Sequence, residues 1–107
     1  MHDRLATWTY AHRTKPGTRE LILKRARPGA GMAHEFRAER VSRGDDGNPL
    51  REQPGTSLYD HVNRGVKEAA IDWLSVQHQG LMAAGWQLMH AEGEAESIDL
   101  GAQQVAA

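Results

Sequence analysis

The chain has 107 residues, with 13 Lys and Arg against 14 Asp and Glu, a formal net charge of −1, and no cysteine. That length fits one domain. The missing thiols exclude a disulfide scaffold, a Cys-ligated zinc site, an iron–sulfur cluster and thiolate catalysis. No apolar run approaches the roughly 20 residues of a membrane-spanning helix. Met1-His2-Asp3-Arg4 opens no hydrophobic signal region, so a cytoplasmic protein is expected.

Of the 39% apolar residues, 15 are alanines, which bury little area. Leu, Ile, Val and Phe together number only 18. That is below the roughly 20% at which autonomous folding becomes doubtful, although a low net charge argues against disorder. Three tryptophans add apolar area, each on the order of 200 Å². So thin a core predicts that stability comes partly from a partner, most simply a second copy of the chain.

Charge is uneven. Residues 1–51 hold 11 Lys and Arg and 6 Asp and Glu, whereas residues 52–107 hold 2 and 8. Such asymmetry suits two halves that attract each other, within one fold or across a dimer, and it also suits a basic binding surface.

In chain order, Leu5 to His12 reads as a strand with Ala6, Trp8 and Tyr10 on one face. Lys15-Pro16-Gly17-Thr18 fits a type II turn, because Pro presets the second position and Gly permits positive φ at the third. Arg19 to Arg27 is the next strand, with Leu21 and Leu23 facing one way and Ile22 and Lys24 the other. Pro28-Gly29-Ala30-Gly31 breaks the chain. Met32 to Arg43 has helix-forming Ala, Glu and Arg, yet its alternation favours a strand. Residues 44–55 read as a long loop.

A helix is predicted from Leu58 to Ala84, opened by the Ser57–Asp60 capping pattern. Val62, Val66, Ala69, Trp73 and Val76 form its apolar stripe. Its length would be roughly 40 Å, more than three short strands can cover, so residues 77–82 are expected to overhang. Gly65 weakens the helix and Gly80 is a place to bend it. Gly85 suits the left-handed position after the helix. Trp86 to His90 reads as a strand, with Ile98 and Leu100 extending it after a turn at Gly93.

The predicted architecture is α+β, a small antiparallel sheet in β-β-β-α-β order packed against one long amphipathic helix. It forms a single domain over residues 1–100, with a flexible tail at 101–107. The expected inner face holds Trp8, Tyr10, Leu21, Leu23, Phe36 and Leu88. The expected outer face holds Thr7, Thr9, Lys24, Glu35, Arg37 and Glu39.

Chemical motifs are sparse. Six histidines are scattered, none paired four apart and none in H-E-x-x-H, so no metal is expected. No G-x-S-x-G surrounds any serine. Asp45-Asp46-Gly47-Asn48 lacks the register of a calcium loop, and Gly29-Ala30-Gly31 lacks the rest of a phosphate loop. Glu92, Glu94, Glu96 and Asp99 read as a solvated acidic face. No cofactor is expected.

Two surfaces stand out. Arg25, Arg27, Arg37 and Arg40 lie on strands that should be adjacent and could neutralise phosphates. His78, Leu81 and Met82 lie on the part of the helix expected to project, where a partner could dock. The function expected is a small non-enzymatic interaction or regulatory module that forms a homodimer and contacts another protein. One alternative is nucleic-acid binding through the basic strands. Another is a small enzyme or ligand-binding protein whose site forms at a dimer interface from groups such as Tyr10, His12, His34 or His90.

Overall fold

The structure, a computed structural model, describes residues 2–26, 35–45 and 59–101. The elements are β1 (His2–His12), β2 (Thr18–Ala26), β3 (Glu35–Arg43), β4 (Tyr59–Arg64), α1 (Lys67–Ala83), β5 (Trp86–Gly93) and a 3-10 turn at Glu94–Ser97. The strands form one sheet in the order β4-β3-β2-β1-β5, and every neighbouring pair is antiparallel. One helix packs against one face of this sheet, giving an α+β fold.

Segment 32–43 resolves in favour of the strand over its described part, Glu35–Arg43. There Phe36 and Ala38 turn inward, Ala38 fully buried and Phe36 packed at the core margin. Gly17 and Gly85 take positive φ, 78° and 93°, as the turn and the helix stop require. The Gly17 N–H also donates to Asp45 Oδ1 at 2.7 Å, tying the first hairpin to the end of β3.

The predicted helix is too long by two turns. Residues 59–64 form a fourth strand paired with β3, so the order is β-β-β-β-α-β. Val62, four residues before Val66, fits a helical spacing and fits a strand equally well, and pairing with β3 decides between the two. The helix starts at Lys67, after Val66 in an extended conformation and without a side-chain cap. Ser57 lies outside the described residues. Seventeen residues span roughly 25 Å, short enough to lie on the sheet. The helix passes through Gly80 uninterrupted.

Because β4 and β5 are opposite edges of the sheet, α1 carries the chain across its whole width. It sits principally over β3 and also touches β2, β4 and β5. Ala70, Leu74 and Leu81 of α1 meet Ala6, Trp8, Tyr10, Leu21, Leu23 and Ala38 of the sheet. After Gly93 the chain leaves the sheet, so Ile98 and Leu100 do not extend β5. Leu100 and Ala95 instead close the open side of the core. Among the described residues, no helix is long and apolar enough to cross a membrane.

The opposite face carries a buried ionic cluster. Glu39, 5% exposed, accepts from Lys24 Nζ at 3.0 Å and from Arg37 Nε at 2.9 Å. Arg43 pairs with Glu20 on the same face. Lys24, Arg37 and Glu39 thus share the outer face as expected, with Glu39 buried among its partners. Ile22 and Thr7, adjacent to Glu39 in register, are buried there too.

Candidate functional site

Two bulges shape the region around β1 and β5. The first falls between Arg4 and Ala6 and inserts Leu5 into β1. The second falls between the pairs Thr9–His90 and Tyr10–Leu88 and inserts Met89 into β5. A bulge adds a residue that the partner strand cannot match, so alternation is interrupted there. Leu88 shares a register pair with Tyr10, but it is 42% exposed, and Met89 is 65% exposed. Register sets Leu88 on the expected inner face, but it is not buried: it lies on the edge strand, where residues 87–90 are all exposed.

Trp86 is the buried anchor of β5, with Ala91 packed at the core margin. The Arg19 guanidinium lies 4.2 Å over the Trp86 ring, and the His12 ring meets it edge-on at 5.2 Å. His12 Nδ1 accepts from the Thr14 and Lys15 N–H groups at 3.1 and 3.2 Å. Nε2 therefore carries the proton and donates to Ala84 O at 3.1 Å, joining the first turn to the end of α1. From Gln87 to His90 every β5 residue is exposed, and among the described residues β5 pairs only with β1.

The helix segment expected to overhang is instead tied down. Arg40 Nη1 donates to Gln77 Oε1 at 2.7 Å. Tyr10 O–H donates to His78 Nδ1 at 2.6 Å, and Leu81 joins the core. Of the three helix residues singled out for docking, only Met82 is exposed. At 100° per residue it follows His78 on the same flank of α1, which faces β1.

The arginines do not form one surface. Register puts Arg37 on the face away from α1, whereas Arg25 and Arg40 share the parity of Leu23 and Leu21. Arg37 holds Glu39, and Arg25 is 3.7 Å from Asp3. Arg27 lies outside the described residues.

Tyr10 is fully buried, and burial pushes its pKa above the ordinary range. Burial lowers the His78 pKa, while Asp99 partly opposes the shift. For Glu39, burial raises the pKa, but hydrogen bonds and charge from Lys24 and Arg37 outweigh it and hold it low. The signs follow directly. Around pH 6.5 the unfolded chain binds a proton at His78 more readily than the fold does, so stability rises with pH there. We expect resistance to urea to fall as pH drops below 6.5, and to fall again below 4.5 as Glu39 is protonated. Urea midpoints across a pH series check this; the first fall should flatten in His78→Gln, and a wild-type midpoint constant across 6.5 would contradict it.

Among the described residues, no group of three or more His, Cys, Asp or Glu could hold a metal. A shallow cleft of about 110 Å³ lies between Arg4, Leu5, Ala6, Thr7, Glu92 and Gly93, well below the size of ordinary ligand pockets. Comparisons of the chain with family models, curated proteins and solved structures give no match. The strongest surface feature is thus the β5 edge with Leu88 and Met89. Sequence reasoning admits a sheet edge as a contact but misses Leu88 and Met89, because period two places Leu88 inside and the bulge that inserts Met89 leaves no local signature.

Proposed function

We propose that this protein is a small cytoplasmic contact module without catalytic activity, working through protein–protein association at the β5 edge, with a second copy of itself as the first partner. The observation that carries the reading is an eight-residue strand that, among the described residues, is paired on one side only, with Leu88 and Met89 exposed along it. An unpaired edge offers a row of backbone donors and acceptors to another strand. Apolar side chains beside it add hydrophobic area, about 1.5–3 kcal/mol for each large side chain fully buried. The shortage of Leu, Ile, Val and Phe supports the same reading, because association adds buried area that the single chain lacks.

Sedimentation velocity tests it. The wild-type chain is expected to be dimeric at micromolar concentration. Leu88→Asp with Met89→Asp should raise the dissociation constant on the order of 100-fold. Both side chains are exposed, so folding stability should change by less than about 1 kcal/mol. A wild-type chain that stays monomeric at high micromolar concentration would rule the reading out.

A further inference from the structure

We infer that β5 pairs antiparallel with β5 of a second copy about a two-fold axis passing through Ala91. This rests on β5 being the self-association surface and specifies how it is used. β5 contains neither Lys nor Pro, two residues that commonly block edge pairing. Its sequence is also self-complementary. His90 Nε2 and Glu92 Oε1 lie 2.7 Å apart on the face away from α1, flanking Ala91.

A two-fold axis normal to the sheet leaves the two faces distinct, so paired residues must point to the same face. Trp86 and Leu88 pair with His12 and Tyr10 on the α1 side, whereas His90 and Glu92 pair with Thr9 and Thr7 on the other. The change occurs at the Met89 bulge. An axis through Met89 or His90 sets Leu88 against a residue of the opposite face, and an axis through Leu88 does the same to Trp86. An axis through Glu92 brings two carboxylates together, which is destabilising; one through Gln87 pairs only residues 86–88 of β5, and one midway between Met89 and His90 centres the new ladder on two opposed bulges, where pairing is disrupted.

An axis through Ala91 avoids all of these. His90 faces the partner's Glu92, and Glu92 faces the partner's His90, giving two donor–acceptor pairs from one contact. Ala91 meets the partner's Ala91, the smallest side chain of the strand on the axis. Met89 falls opposite the partner's Gly93, which has no side chain to obstruct it. The result is a continuous ten-stranded sheet with both helices on one face.

The chain has no cysteine, so Ala91→Cys creates a single thiol. Facing residues on paired strands have Cα atoms about 4.5–5.5 Å apart, within disulfide range. Mild oxidation should give a covalent dimer from A91C and little from Gln87→Cys. His90→Glu should raise the dissociation constant about tenfold by setting like charges opposite each other, and adding Glu92→His should restore it. A wild-type dimer in which A91C links no better than Q87C would overturn this register while leaving self-association intact. A wild-type monomer would overturn both.

Discussion

Gly93→Ala is expected to destabilise the fold by about 2–3 kcal/mol. Gly93 has φ 65° and ψ −138°, a combination that side-chain-bearing residues avoid. Space fails as well as conformation: a Cβ there would lie 2.5 Å from Leu5 O. That oxygen belongs to the bulged residue of β1, and Gly93 pairs with Ala6 beside it. Neither backbone can retreat without opening the β1–β5 ladder. Gly80 supplies the contrast. It is exposed in the body of α1, a Cβ there would meet nothing within 4 Å, and alanine should stabilise by about 0.5–1 kcal/mol. Urea unfolding of the two variants separates the cases. Equal midpoints would show that the close approach of β1 to Gly93 is wrong.

Leu74→Ala should cost more, about 2–5 kcal/mol. Leu74 is fully buried in mid-helix and belongs to the cluster that joins α1 to the sheet. Its removal takes away hydrophobic transfer energy and leaves a cavity that the surrounding strands can fill only partly. Domains of this size are stable by roughly 5–15 kcal/mol in total, so the variant should lose a large share of its stability. Leu88→Ala deletes the same atoms from an exposed site and should change stability by less than about 1 kcal/mol. Denaturant titration of both variants gives the comparison. Similar losses at the two positions would mean that α1 does not cover the sheet as described.

The three-stranded meander was legible because its signals are local. Trp8, Tyr10, Leu21 and Leu23 alternate, and Pro16-Gly17 marks the turn between their strands. The end of α1 was legible for the same reason, since Gly85 announces a left-handed residue. The segment from Tyr59 to Arg64 was misread because six residues with one strong apolar position satisfy both helical and extended periods. Only the open edge of β3 selects the extended one, and that edge is a tertiary fact. The burial of Glu39 was also hidden. Nothing local to Glu39 announces that Lys24 from the neighbouring strand and Arg37 from two residues earlier converge on one of its oxygens.

The candidate surface was less legible than the fold. Of the residues singled out, Leu81 and His78 proved to be packing residues, because a shorter helix does not project. Met82 remained on the surface. The basic side chains were correctly seen as numerous, but cross-strand register, which sequence spacing does not display, distributes them over two faces and sets acidic partners beside some of them.

β1 is paired on both sides, with β2 immediately after it and with β5 some eighty positions later. During synthesis β1, β2 and β3 can pair early, being close in sequence, while one flank of β1 waits until β4 and α1 have also been made. Until then Trp8 and Tyr10 lie beside an unfilled slot. β5 is therefore both the plug for that slot and the new rim of the sheet, and slow elongation ahead of Trp86 would prolong the interval in which nascent chains can stick to one another.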